Sequence, residues 1–330
     1  METETNENVV ALHPTRNEGP GVVERLRAVM ETDRSVTQSR VARETGLSSG
    51  AVSSWMSGTY RADTKGIETK VSRWLTAYQE RQLEARRLPS APSYVSTPTS
   101  DRILMALSHT QVTGDVAVIY GGAGLGKTTA IRHYAAGGLN VWVATMTPAS
   151  ASVVPALEEI AEAVGLPTNL SGAARLHRAI VKRVHASGGL LVIDEAQHLS
   201  TLALDQVRSI HDATGVGLAL VGNEQVYARL TGGTRAVYLD RLFSRIGKRL
   251  RLSQSTQSDV DRLIAAWQVS GGPCRSLLMD VARKPGALRG VTKVLRLAAM
   301  RAAAAGRTID LEDLEHACRE LAPVDFGGEP

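Results

Sequence analysis

One stretch constrains this chain more than any other: Val116 to Thr129, VAVIYGGAGLGKTT. A run of β-branched and apolar residues enters a glycine cluster, and the cluster enters a helix-compatible segment carrying Lys127, Thr128 and Thr129. The spacing from Gly121 through Gly126 to Lys127 and Thr128 fits G-x-x-x-x-G-K-[ST], with the strand and helix that this motif requires on either side. In the loop Gly121, Gly122, Ala123, Gly124, Leu125, Gly126, the glycines allow backbone N–H groups to turn inward around a phosphate. The positive end of the following helix adds to that attraction. Lys127 is spaced to reach the β and γ phosphates, and the Thr128 hydroxyl to hold Mg²⁺. ATP and Mg²⁺ are the implied ligands, and the expected fold is α/β.

Composition narrows what else the chain can be. It has 330 residues, 43% of them hydrophobic, enough for two or three domains with buried cores. No uncharged apolar run reaches the length of a membrane span, and the first thirty residues lack the apolar stretch of a secretory leader. A soluble, unsecreted, cytoplasmic protein is expected, with no membrane partner. Cys274 and Cys318 lie far apart without metal-ligand spacing, so they read as ordinary thiols in a reducing compartment, which sets zinc and disulfides aside. The net charge of +5 suits a nucleic-acid partner without requiring one.

Residues 1–20 are polar, with little to bury, and read as a disordered tail; 21–88 read as a small helical domain. Apolar residues recur at helical spacing from Val22 to Met30, and a second helix is expected from near Ser35, where Ser35 and Gln38 have capping-box spacing. Gly46 ends it. Ser49 to Ser57 then forms a third helix burying Val52, Trp55 and Met56, and a fourth from Ile67 to Arg87 presents Val71, Trp74, Leu75 and Tyr78 on one face. Helix, glycine turn, helix at this length is a helix-turn-helix pattern, and the stretch resembles phage-repressor sequences of that fold. One reading puts Ser49, Ser53 and Ser54 against DNA; the other is a plain helical bundle. The third helix carries no Arg or Lys to grip guanine, so base readout through it is weak.

LPSAPSYVSTPTS is rich in proline and hydroxyl residues and places a linker at 89–100. Beyond it, a core over 101–255, a helical lid over 256–322 and a tail over 323–330 are expected. A short helix from Ile103 to Ser108 leads into the phosphate-loop strand. A second strand covers Asn140 to Thr145, and a helix Ala151 to Val164. The segment 165–185 carries Arg175, Arg178, Lys182 and Arg183 and no acid, which reads equally as a DNA-facing surface or a solvated basic face.

GLLVIDE, ending at Glu195, is an apolar run without alternation, the pattern of a strand buried on both faces. Carboxylates at its end project into the crevice where open α/β sheets bind ligands. Asp194 is thus the expected Mg²⁺ ligand and Glu195 the group that orients or deprotonates an attacking water. After a helix from Leu204 to His211, a second apolar strand ends at Asn223, a polar tip suited to sensing the same water or the γ-phosphate. Loops follow, then a helix carrying Arg241 and Arg245, a last short strand, and helices throughout from Asp259 to Leu321.

This order of elements is that of an AAA+ ATPase: a P-loop module with a parallel sheet and helical lid, preceded here by a small all-α helix-turn-helix domain. More narrowly, the passages GLSSGAVSSW, NVWVATMTPASASV, GLLVIDEAQHL, YLDRLFSRIGKR and KPGALRGVTKVLRLAAM resemble the B transposition proteins of transposable phages. The resemblance spans both domains. It implies an ATPase that assembles as a helical oligomer on double-stranded DNA with little sequence preference, delivers that DNA to a cognate transposase, and leaves DNA upon hydrolysis. By the same resemblance, Arg289 in PGALR is a second sensor, and Arg245, or else Arg241, is the finger reaching a neighbour's nucleotide. Where related motifs read DEAD or DEAH, this chain has Gln197 in the last place, which leaves the metal and water roles untouched. Two rival readings are a helicase loader or replication initiator, and a transcription regulator switched by nucleotide.

Overall fold

The computed structural model describes residues 21–62, 64–87, 92–167, 169–231 and 244–321. Both expected tails, Arg241 and the start of the expected linker lie outside them. The chain divides into two units, Met1–Leu88 and Pro89–Pro330.

In the first unit, helices α1 (Val22–Thr32), α2 (Gln38–Thr45), α3 (Ser49–Met56) and α4 (Lys65–Arg87) enclose a core of Leu26, Val41, Val52, Trp55, Val71 and Leu75. Helix α2 starts later than the Ser35 spacing suggests. Its cap is Thr37, whose hydroxyl accepts from the Arg40 N–H, while the Ser35 N–H is taken by Asp33. Gly46 closes α2 at φ 68°, and Ser48 caps α3, giving the helix-turn-helix its corner. Polar contacts tie α4 to the rest: Trp74 Nε1 donates to Glu44 at 2.7 Å, the Tyr78 hydroxyl to Asp33 at 2.6 Å, and Arg25 to Gln79 at 3.4 Å.

The second unit is built on five parallel strands: β1 (Val116–Gly121), β2 (Val141–Thr145), β3 (Leu190–Asp194), β4 (Gly217–Gly222) and β5 (Ile246–Leu252), in the order β2-β3-β4-β1-β5. Every residue of β1, β3 and β4 is buried, as expected for strands covered on both faces. On one face Val118, Ile193 and Leu220 pack under α7 (Val153–Ala163), α8 (Ala173–Val184) and α9 (Thr201–Thr214). On the other, Ile119, Val192 and Val221 pack under α5 (Pro98–Thr113) and α6 (Lys127–Gly137). Because all strands run the same way, Gly121, Asp194 and Gly222 end at one edge of the sheet.

Several elements differ from expectation. Helix α5 is far longer than Ile103–Ser108, because Thr97 caps it, Pro98 occupies its first turn and Gly114 closes it at φ 67°. The linker therefore ends before Pro98. Ser200 likewise starts α9 early, and Glu224–Thr231, read as loop, is a helix, α10. Arg245 lies in a turn rather than a helix.

The lid comprises α11 (Gln257–Ala266), α12 (Gly272–Arg283), α13 (Ala287–Ala304) and α14 (Leu311–Leu321) around Leu278, Val291, Leu295 and Leu314. Among the described residues, no helix is long and apolar enough to cross a membrane. Lid and core are pinned by Asp259, which is fully buried. Its carboxylate accepts from the Thr99 N–H (2.8 Å) and hydroxyl (2.7 Å) and from the Thr256 N–H (2.7 Å) and hydroxyl (2.9 Å). Burial works against the charge, but these donors outweigh it and hold the carboxyl below its ordinary 3.8. A carboxylate depressed in the folded state contributes stability that is complete above the unfolded value and lost as pH falls through the folded one. Asp259→Ala should destabilise the second unit by about 2–4 kcal/mol, since two buried N–H donors lose their acceptor. Urea unfolding at pH 7 measures this, and the gap between wild type and variant should narrow below pH 4.

Candidate functional site

The site is assembled where β1, β3 and β4 end. Between β1 and α6 the glycine loop folds over the Lys127 ammonium, which donates to the Gly121 and Gly122 carbonyls at 2.8 Å each. Burial pushes the Lys127 pKa down; Glu195 and Asp194 oppose this, and Arg289 adds to it. The Thr128 hydroxyl donates to Asp194 Oδ2 at 2.8 Å, and the Glu195 N–H to Asp194 Oδ1 at 2.9 Å. Asp194 is 1% exposed, and burial raises its pKa against the pull of those two donors. A hydroxyl and a carboxylate oxygen thus stand side by side, at residues sixty-six positions apart in sequence.

Glu195 follows at φ 54°, left-handed backbone that a non-glycine residue rarely adopts. It lines a cavity of about 600 Å³ together with Ala123, Gly124, Leu125, Gly126, Lys127, Thr128, Thr129, Gln197 and Asn223. The lid closes one side with Leu263, Trp267, Leu288, Arg289 and Thr292, and residues Pro92 to Val95 another. Loop and lid touch at Gly124. The Arg289 N–H donates to the Gly124 carbonyl at 3.2 Å, and a Cβ on Gly124 would stand 1.9 Å from the Gly286 carbonyl oxygen.

The expected site residues thus divide. Lys127, Thr128, Asp194, Glu195, Asn223 and Arg289 converge at one place, whereas Arg245 does not. Its carbonyl accepts from the Val116 N–H, at the opposite end of β1, and its guanidinium is ion-paired with Asp212. In α8, Arg175, Arg178, Lys182 and Arg183 are exposed, and Arg183 also donates to the Val164 carbonyl and lies over the Trp142 ring. On α3, Ser49 and Ser53 are exposed, and the Ser54 hydroxyl is spent on the Gly50 carbonyl at 2.6 Å.

The target DNA activator B of Escherichia phage Mu, described as ATP-dependent, is 38% identical over 296 residues, covering 90% of this chain and 93% of the relative. The chain belongs to the Mu B transposition protein family. The corresponding protein of Escherichia phage D108 is also 38% identical over 296 residues. The Mu-like prophage FluMu DNA transposition protein B of Haemophilus influenzae is 31% identical, covering 79% of this chain and 91% of the relative. Two family models divide the second unit between them: an AAA domain over residues 110–230, and the C-terminal part of the Mu B transposition protein over 244–321. This member of the Mu B family is therefore an ATPase with an AAA domain.

Two parts of the site escaped sequence reasoning. Gln197, a departure from related motifs, is 8% exposed and touches both Glu195 and the Asn223 backbone. Tyr94, in a stretch read as linker, stacks on His133 with ring centroids 3.7 Å apart beside the cavity. Nothing local marks Tyr94; for Gln197 the signal was its adjacency to the carboxylate pair.

Gly124 takes φ 84° against the lid backbone, so Gly124→Ala strains both the loop and its contact with Gly286. Nucleotide affinity, measured by titration with a fluorescent ATP analogue, should fall at least tenfold, and the thermal midpoint should drop.

Proposed function

We propose that this protein uses ATP binding and hydrolysis at the loop–lid cavity to grip and release duplex DNA, which it presents to a transposase. The observation that carries the chemistry is the Thr128–Asp194 pair, a hydroxyl and a carboxylate meeting beside the phosphate loop at 2.8 Å. Mg²⁺ prefers oxygen ligands and is usually held by one or two carboxylates plus substrate phosphates, and this pair fits that donor set. Among the described residues no cluster of three or more His, Cys, Asp or Glu competes with it. Bound there, Mg²⁺ would neutralise charge on the β and γ phosphates.

The chain's own residues supply the rest. Lys127 exchanges its two carbonyl contacts for phosphate oxygens, and Arg289 approaches from the lid. Glu195 takes a proton from a water whose oxygen bonds to the γ-phosphorus. The bond from that phosphorus to the bridging oxygen breaks, and ADP carries the electron pair away. Asn223, at the tip of the neighbouring strand, contacts the water or the γ-phosphate. Arg245, separated from the loop by the length of β1, about 20 Å, can serve only the nucleotide of a second copy. That arrangement favours a self-assembled oligomer, in which Arg245 would leave Asp212 to act as the finger.

DNA is held by phosphate contacts from Arg175, Arg178 and Lys182 on α8, with the helix-turn-helix unit adding its exposed serines and basic residues. Identity with Mu B proteins along nearly the whole chain favours a transposase over a replicative helicase as partner. A helical filament on target DNA, release on hydrolysis and residence in the host cytoplasm complete the reading.

Two experiments test it. Lys127→Ala should abolish ATP binding and ATP-dependent DNA binding with the fold intact. Glu195→Gln should bind ATP, nearly cease turnover and remain on DNA longer than wild type. Dissociation of the Glu195→Gln complexes at the wild-type rate would separate hydrolysis from release. The second experiment uses residues 89–330, so that Pro92 to Val95 stay in the cavity wall. This fragment should bind DNA with ATP, its affinity falling with salt at a log-log slope of about −0.9 per phosphate neutralised. Replacing Arg178 and Lys182 should flatten that slope by roughly one to two units, and an unchanged slope would exclude α8.

A further inference from the structure

Gln197 is a buried polar side chain whose two ends are both engaged. Its carboxamide Nε2 donates to Glu195 Oε2, and its Oε1 accepts from the Asn223 N–H at 3.2 Å. One residue therefore bridges the carboxylate at the end of β3 to the polar tip of β4. The strand tip is shaped around it. A Cβ on Gly222 would stand 2.2 Å from Gln197 Oε1 and 2.6 Å from a Val226 methyl, so only glycine lets β4 close over the carboxamide. Glu195 sits in left-handed backbone at φ 54°, a conformation that persists only where surrounding contacts hold it.

The geometry points to Gln197 as a positioning residue for hydrolysis. It holds one carboxylate oxygen of Glu195, leaving the other to face the attacking water, and it fixes that carboxylate relative to the strand tip carrying Asn223. A base oriented by a third group is the recurring arrangement for activating a nucleophile. Here that group also links base and sensor, so displacement of Asn223 by a bound γ-phosphate is transmitted to Glu195 through a single side chain. The proposal rests on Glu195 being the base.

The test compares Gln197→Met and Gln197→His with wild type and Glu195→Gln in the full-length protein. Met matches the length and apolar volume of Gln but makes neither hydrogen bond, so it fills the space without bridging. Neutral imidazole carries one donor and one acceptor and can restore the bridge. The Met variant should lose about tenfold or more in kcat for ATP hydrolysis, a fraction of the 10²–10⁴ that a positioned base supplies. Its KM, its affinity for a non-hydrolysable ATP analogue and its thermal midpoint should stay near wild type. The His variant should recover a measurable part of kcat. Wild-type kcat in the Met variant would overturn the proposal, as would a parallel loss of nucleotide affinity and thermal stability, which would make Gln197 structural only. Undiminished turnover in Glu195→Gln would show instead that the base assignment is wrong, and the proposal would fall with it.

Discussion

A carboxylate at the end of a strand buried on both faces is costly unless donors meet it, and Asp194 is in that position. Its two oxygens are taken by the Thr128 hydroxyl and the Glu195 N–H, which offset part of what burial costs the charge. The same contacts tie the phosphate loop to β3 and set the direction in which Glu195 leaves the strand. Packing of the parallel sheet and chemistry of the site thus share one hydrogen-bonded pair. Lys127, half-withdrawn from water and facing both acids, balances them.

Besides the side chains it adds to the cavity wall, the lid meets the phosphate loop through backbone. A Cβ on Gly124 would stand 1.9 Å from the Gly286 carbonyl oxygen, and the Arg289 N–H bonds directly to the phosphate loop. Asp259 secures the far end, joining α11 to the first turn of α5. Core and lid are thus joined at two places, Gly124 and Asp259.

Arg245 and the basic face of α8 lie away from that cavity, and under the proposed function their distance from it has meaning in an oligomer. A residue at the foot of β1 cannot serve its own nucleotide, and a row of exposed cations on α8 is suited to a polyanion outside the subunit. The serine-faced α3 lacks the guanidinium groups that read guanine.

Much was legible before the fold was seen, because it is written in local spacing. The loop Gly121–Thr128, the apolar run into Asp194 and Glu195, and the strand ending at Asn223 depend on neighbours in the chain, and all lie where their patterns placed them. The end of the linker was legible in principle, since Thr97 and Pro98 are a cap and a first-turn proline, but the surrounding proline and hydroxyl residues masked them. Tyr94, the bridge from Gln197 to Asn223, the Gly124–Gly286 contact and the Thr99–Asp259 pin could not be read. Each joins segments brought together only when the sheet stacks its strands and the lid closes on the core, and residue identity alone carries no record of that distance. Local spacing thus sets which chemistry the chain can perform, whereas which residues hold the reacting groups in place depends on contacts between elements far apart in the chain.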